Sequence, residues 1–291
     1  MIRCVLVTGD CLDNLRRLPT GRAQTCVTSP PYWGLRDYEM DGQIGLEETL
    51  AEYIARLVDV FREVRRVLRS DGTLWLNLGD SYVGSWGAQG HPSAPTFVPR
   101  RTRTGSLKRT PGLRNKDMLG VPWRVAFALQ ADGWILRQDI IWHKSNPMPE
   151  SVKDRCTKAH EYMFLLSPSE QYYFDWPAIR EPAKTGVRFE TTRVSGRSLR
   201  KQTNDGLRTK RSVWTVATRH FHGTHFATFP PALIEPCILA GTKPGNVVID
   251  PFSGAGTTGL VALTHGRRYW GCDLNPNYTA LAQTRLDTVA A

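Results

Sequence analysis

The apolar run Val247-Val248-Ile249 leads straight into Asp250-Pro251-Phe252-Ser253-Gly254-Ala255-Gly256-Thr257-Thr258-Gly259, and this stretch limits the possible folds more than any other in the chain. A short buried strand, a glycine turn and a helix-forming segment is the layout of an open α/β sheet. In such sheets ligands bind outside the carboxyl end of a strand, and glycines let them approach the backbone. No Lys-Ser/Thr pair follows the glycines, so the loop is not a Walker P-loop. The next apolar run, Tyr269-Trp270-Gly271, ends in Cys272-Asp273-Leu274-Asn275. An acid at the tip of the adjacent strand is placed to accept hydrogen bonds from a ribose diol.

The rest of the chain alternates in the same way. Further strands are predicted at Val5-Leu6-Val7, Thr25-Cys26-Val27, Thr73 to Leu78, Asp139 to Trp142 and Tyr162 to Leu166. Helical spacing is clearest from Leu50 to Leu68, where Ile54, Leu57, Val58, Phe61, Val64 and Leu68 recur, and Ser70-Asp71-Gly72 supplies a stop signal. Three more helices are predicted at Pro122 to Ala131, Pro231 to Ala240 and Thr257 to His265. Strands alternating with helices imply an α/β fold, Rossmann-like, with a mostly parallel sheet of seven strands and helices on both faces.

A formal net charge of +11 is distributed unevenly. Between residues 84 and 118, Arg100, Arg101, Arg103, Lys108, Arg109, Arg114 and Lys116 face the single acid Asp117. Between 183 and 222, Lys184, Arg188, Arg193, Arg197, Arg200, Lys201, Arg208, Lys210, Arg211 and Arg219 face Glu190 and Asp205. Positive charge gathered on polar, aliphatic-poor segments is the electrostatic footprint of nucleic-acid binding. The six cysteines are scattered without CxxC spacing, which suggests neither a disulfide framework nor a zinc ribbon. His220, His222 and His225 cluster, but no cysteine or acid lies nearby at ligand spacing, so no metal site is expected. No apolar run is long enough to span a bilayer and no signal-peptide pattern opens the chain, so the expectation is a cytoplasmic protein with no membrane partner.

The second unusual stretch is Thr28-Ser29-Pro30-Pro31-Tyr32-Trp33, directly after a predicted strand. Two prolines offer no backbone N–H, so the sheet ladder must stop there in a stiff turn. Taken with the glycine loop, Ser29-Pro30-Pro31-Tyr32 resembles the catalytic turn of the β-class DNA amino-methyltransferases, in which the catalytic half of the chain precedes the cofactor half. The resemblance covers nearly the whole chain and implies one methyltransferase domain over 1–291. Val7 to Leu12, with Asp10 and Cys11, is similar to the family segment that meets the adenine of S-adenosylmethionine. His225 to Pro230, with Thr228, Phe229 and Pro230, is similar to the segment at the methionine end. The resemblance adds Thr28, Asp250, Pro251, Phe252, Ser253, Gly254, Gly256, Thr257 and Thr258 to the cofactor side, with Asp273, Leu274 and Asn275 at the ribose. Gly79-Asp80-Ser81-Tyr82 and Ile141 to Pro147 match the middle strands. The 183–222 stretch occupies the slot of the target-recognition region; the 84–118 insertion is less standard.

What the resemblance implies chemically is methyl transfer to an exocyclic amine of a base in double-stranded DNA. Such an amine is a poor nucleophile because its lone pair is delocalised into the ring. Acceptors placed at its two hydrogens favour a tetrahedral nitrogen and stabilise the positive charge that develops. The Ser29 hydroxyl and the Pro30 carbonyl are the candidate acceptors, Pro31 stiffens the turn, and Tyr32 is expected to stack on a base rotated out of the duplex. Trp33, Lys144, Arg197, Arg200, Lys201, Arg208, Lys210 and Arg211 are the candidate nucleic-acid contacts. Serine at the first position resembles the cytosine-N4 branch, whereas aspartate is commoner among adenine-N6 enzymes. Ring-carbon methylation is set aside because Pro236-Cys237 falls inside a predicted helix and no Glu-Asn-Val motif exists. An RNA amine methyltransferase and a silent nucleic-acid-binding module are the rival classes. A cognate restriction endonuclease is the expected biological partner, and the sequence leaves monomer and homodimer open.

Overall fold

The structure is a computed structural model. It describes residues 4–35, 37–84, 111–183, 188–194, 197–203, 206–218 and 229–290, with backbone alone for 188–194, 197–203 and 290. Thr228, the three clustered histidines and most of the 84–118 insertion lie outside the described residues.

Chain order is β1 (Cys4–Thr8), α1 (Cys11–Arg16), β2 (Ala23–Thr28), α2 (Leu50–Val67), β3 (Leu68–Leu78), α3 (Val121–Ala131), β4 (Ile135–His143) and β5 (His160–Ser167). Four short strands follow, β6 (Glu181–Pro182), β7 (Arg188–Val194), β8 (Arg197–Thr203) and β9 (Leu207–Arg208). Then come β10 (Val213–Thr215), α4 (Pro231–Gly241), β11 (Val247–Asp250), α5 (Thr257–Thr264), β12 (Arg268–Asp273) and α6 (Pro276–Ala290). The main sheet has the order β1-β12-β11-β2-β3-β5-β4-β10. Neighbours pair in parallel except at β5, which runs against both β3 and β4. The α/β, mostly parallel sheet is therefore as expected, with one strand more than seven: the short β10 extends the edge beside β4.

Alternation along each strand divides the core in two. Cys26, Leu74, Leu76, Phe164, Leu166, Ile249 and Trp270 face α1, α2 and α3. Their neighbours Val27, Trp75, Met163, Leu165, Val248 and Tyr269 face α4, α5 and α6. Both faces of the central strands are thus buried, which is why they read as continuous apolar runs.

Helix α2 starts at a full capping box. Thr49 Oγ1 accepts from Glu52 N, and Glu52 Oε2 accepts from Thr49 N. The helix stops at Val67, before the expected signal. Ser70-Asp71-Gly72 lies instead inside β3, where the register against β2 slips between Ala23 and Thr25. A Cβ on Gly72 would stand 3.0 Å from the Gln24 carbonyl oxygen, so the glycine serves a close backbone approach at a bulge.

Candidate active site

After β2 the chain turns toward β3, with α2 on one face. After β11 it turns the other way, toward β12, with α5 on the opposite face. The strand order therefore reverses between β2 and β11, and the crevice outside their carboxyl ends is where such sheets bind ligands. The two sequence motifs meet there. Thr28 Oγ1 donates to Asp250 Oδ1 at 2.6 Å, and Thr258 Oγ1 donates to the Val27 carbonyl at 3.2 Å. Asp250 also accepts from Phe252 N at 3.0 Å. Its carboxyl is buried, and desolvation pushes its pKa up to about 6 against the opposing hydrogen bonds from Thr28 and Phe252.

The cofactor side is built from strand tips. Asp273, at the end of β12, accepts from Gly254 N at 2.8 Å and Asn275 N at 2.9 Å. Burial raises its pKa in spite of those two bonds. Gly9 N, at the end of β1, donates to the Asp273 carbonyl at 2.9 Å, which brings Asp10 to the same edge. Asp10 caps α1 by accepting from Asp13 N, and Cys11 is buried in the first turn. Gly254 and Gly256 adopt positive φ, and a Cβ on Gly256 would press on Ala282 of α6. Two carboxylates beside a bare glycine backbone fit the ribose and adenine of S-adenosylmethionine, with Phe252 half-buried at the rim.

Other residues of the motif do structural work with their side chains. Ser253 is buried with its hydroxyl on Tyr269 at 2.8 Å, Thr258 is fully buried, and Pro251 and Thr257 are buried too. Leu274 and Asn275 lead into α6, and the Asn275 side chain accepts from Asn277 N. Phe229 and Pro230 lead into α4, which packs on β2.

The proline turn is held from several sides. The Tyr53 hydroxyl of α2 donates to the Pro31 carbonyl at 2.8 Å. Gly45, at φ +106°, has no room for a side chain because a Cβ would meet the Tyr32 carbonyl oxygen at 3.2 Å. The Tyr32 hydroxyl donates to Glu161 Oε2 at 2.8 Å, with Asn77 Oδ1 further away at 3.4 Å. Burial first, and then the Glu161 charge, hold the phenol well above its usual pKa. Tyr32 is therefore a neutral donor.

Glu161 was not among the sequence candidates, yet three side chains converge on it. Besides Tyr32, Lys144 Nζ donates to Oε1 at 2.5 Å and Asn77 Nδ2 to Oε2 at 3.3 Å. The cross-strand pairing of Trp142 with Glu161 brings Lys144 and Glu161 together. That pairing was the missing signal, since an acid before an apolar run has no meaning until its partner strand is known.

Two expected nucleic-acid contacts are corrected. Trp33 is 2 % exposed, and its indole N–H donates to the Glu47 carbonyl at 3.0 Å, so it is a core prop under the turn. Lys144 is paired with Glu161, which holds Tyr32, and sits 4.7 Å over the Trp142 ring, so it supports the proline turn. Arg208 and Arg211 both pair with Glu181, at 2.9 and 2.7 Å, and Lys210 lies over Trp214. The side chains of Arg197, Arg200 and Lys201 lie outside the described ones. Cys237 is fully buried and its thiol pKa is pushed up by desolvation, which removes it as a ring-attacking nucleophile.

Gly79 gives a direct test of the turn. A Cβ there would stand 2.7 Å from Tyr32 Cε2. Gly79→Ala is expected to displace the ring and lower turnover by about tenfold with donor affinity unchanged, as small misplacements of catalytic groups do. Steady-state methylation and calorimetry check it; wild-type turnover would show that the ring position is not critical.

A family model described as DNA methylase (N6_N4_Mtase) matches residues 23–284. The chain is 50% identical over 281 residues to Type II methyltransferase M.Cfr9I of Citrobacter freundii, covering 97% of this chain and 87% of that one. It is 46% identical over 286 residues to M.SmaI of Serratia marcescens, covering 97% and 90%. Among solved structures, PvuII DNA methyltransferase (cytosine-N4-specific) matches with a TM-score of 0.68 at 19% identity, over 99% of this chain and 90% of that chain. TTHA0409 of Thermus thermophilus, a putative DNA modification methylase complexed with S-adenosyl-L-methionine, matches with a TM-score of 0.63 at 23% identity, over 99% and 94%. With the proline turn and the glycine loop joined at the switch point, and with these relatives, the chain belongs to the N6/N4 DNA methylase family and takes its methyl group from S-adenosylmethionine.

Proposed function

We propose that this protein methylates the exocyclic N4 amine of cytosine in double-stranded DNA, as the modification partner of a restriction endonuclease. The observation that carries the proposal is Ser29. It stands at the carboxyl tip of β2, next to Thr28, whose hydroxyl bonds to the Asp250 of the donor loop. An acceptor at the target amine and the donor pocket thus share one edge. The names of the relatives, Type II methyltransferases, favour the restriction–modification setting, and the named specificity of the PvuII enzyme favours cytosine N4.

When bound, S-adenosylmethionine supplies an electrophilic methyl group on a sulfonium sulfur. The protein's part is to orient the amine. Ser29 Oγ and the Pro30 carbonyl accept its two hydrogens, aim the lone pair and stabilise the ammonium formed on transfer. The two prolines hold these acceptors before the base arrives, so little reorganisation is needed. Tyr32, fixed through its hydroxyl, offers a ring face to a flipped base. No base is required before transfer, because the amine proton leaves once the nitrogen carries positive charge. Among the described residues no helix is long and apolar enough to cross a membrane.

Digestion of methylated duplex DNA to nucleosides, with mass identification of the product, tests the proposal. N4-methylcytosine is expected. N6-methyladenine would move the enzyme to the other branch of its family, and incorporation into RNA alone would overturn the DNA assignment.

Target recognition is assigned to the 183–222 region within a single catalytic unit over 1–291. Its β7–β8 hairpin carries Arg197, Arg200 and Lys201 on one strand. Replacing all three with glutamine is expected to make the plot of log affinity against log salt shallower, by about 0.9 for each phosphate no longer neutralised. An unaltered slope would show that this strand does not touch the backbone of DNA.

A further inference from the structure

The loop between β4 and β5 leaves the sheet at the edge that carries the proline turn. Strand β5 runs against both β3 and β4, so β4 points the same way as β3 and β2. Lys144, the first residue after β4, reaches Glu161, and Glu161 holds Tyr32. Met148 follows four residues later, at most about 14 Å from Lys144 even with the chain fully extended. It is 85 % exposed, more than any other large apolar side chain among the described residues.

Single exposed apolar side chains are ordinary on a protein surface. This one differs because its backbone is held so firmly. Pro147 and Pro149 flank it. Each ring fixes its own φ and confines the preceding residue to extended backbone, so Asn146-Pro147-Met148-Pro149 is stiff. On the side of the proposed recognition region, Thr218 N donates to Asn146 Oδ1 at 2.8 Å, and Asn146 Nδ2 donates to the Thr218 carbonyl at 3.1 Å. On the other side the loop is tied to the base of the 84–118 insertion, where Tyr82 pairs with Met118. There the Arg155 guanidinium lies 4.1 Å over the Tyr82 ring, and Lys116 Nζ donates to Asp154 Oδ2 at 2.6 Å. The bracing fixes in place a side chain that the fold leaves in water.

The geometry points to Met148 as a wedge that enters the base stack when the target nucleotide is rotated out, filling the gap it leaves. Flipping costs stacking and pairing, and proteins that open a base step do so with apolar side chains such as methionine, leucine and proline. Methionine is unbranched and polarisable, and it makes favourable contacts with aromatic rings. The two prolines order its backbone beforehand, so less entropy is lost when it inserts. The wedge rests on the duplex-DNA methylation proposed above, and it serves that reaction whichever exocyclic amine is the target.

The test uses the full-length enzyme. Mapping the position that the wild type methylates in mixed-sequence duplex DNA supplies the target. Two synthetic duplexes are built on it, one fully paired and one with an abasic site opposite the target base. In each, single-turnover methylation by the variant is read relative to wild type. Met148→Ala is expected to be slower by about tenfold on the paired duplex and by less than about threefold on the other, where less work is needed to extrude the base. Met148→Leu, which keeps an apolar wedge, is expected to stay within about threefold of wild type on both. Wild-type turnover of Met148→Ala on the paired duplex, or an equal loss on the two duplexes, refutes the wedge and leaves the methylation reading standing. A wild-type enzyme that labels RNA but no DNA refutes that reading, and the wedge with it.

Discussion

Ser29→Ala lowers turnover by about a hundredfold and leaves donor affinity within about twofold: this is the result expected if Ser29 is one of two acceptors at the amine. Removing one preorganised hydrogen-bonding group from a site of developing charge costs about two to three orders of magnitude in rate. The contribution is of that size because the group is fixed before the reaction. The prolines stiffen the turn, Tyr53 anchors the Pro31 carbonyl, and Gly45 and Gly79 leave no slack around Tyr32. The variant keeps the turn intact, since none of the described hydrogen bonds that anchor it uses the Ser29 side chain. It also keeps the donor pocket, whose link to β2 is made by Thr28 and Val27. A fall in kcat without a change in donor affinity therefore separates acceptor loss from pocket damage. A loss below about threefold, or a parallel loss of donor binding, would remove Ser29 from the chemistry.

How much of this was legible in the sequence depends on the range of the interaction. The glycine loop and the proline turn are local signals, and their chemistry is readable in a few residues. Their adjacency followed from the family resemblance and is realised as β11 beside β2. Helix α2 was visible from its apolar stripe with its end placed within one residue, and only the Ser-Asp-Gly stop was misread, because β3 runs through it. What stayed hidden needs a partner strand. Glu161 and Lys144 meet only because β4 and β5 pair in antiparallel register. Trp33 was expected to meet nucleic acid, yet its indole N–H finds the Glu47 carbonyl and the ring is buried. Strand β10 has three residues, too few for a periodic signal, and it pairs in parallel with β4 through contacts some seventy positions apart. Helix α1, at six residues, is too short to show a stripe.

The stability of the wild-type protein relative to Asp250→Asn should fall by about 3 kcal/mol as pH rises from about 4 to about 6, and then level off. The sign follows from burial. The Asp250 carboxyl titrates at about 6 in the fold against an ordinary value of 3.8, chiefly because it is desolvated. The native state therefore holds the proton more tightly than the unfolded state. Between those two values the native protein binds more protons, so raising the pH removes stability. A shift of about two units corresponds to roughly 3 kcal/mol. Asparagine keeps an acceptor for Thr28 Oγ1 and Phe252 N but has no charge to desolvate, so its own profile lacks this fall. Comparing the two proteins is essential, because Glu150 and Glu181 are held below their usual values by arginine partners, and Asp71 is lowered by Arg69 and Gln24. Those groups lose stability as pH falls, opposite in sign, and cancel in the difference. Urea unfolding of both proteins at half-unit steps from pH 4 to 7 measures it. Parallel profiles would mean that the link between the catalytic turn and the donor loop is made by a carboxyl already ionised at low pH, and that the crevice between β2 and β11 is wetter than its burial implies.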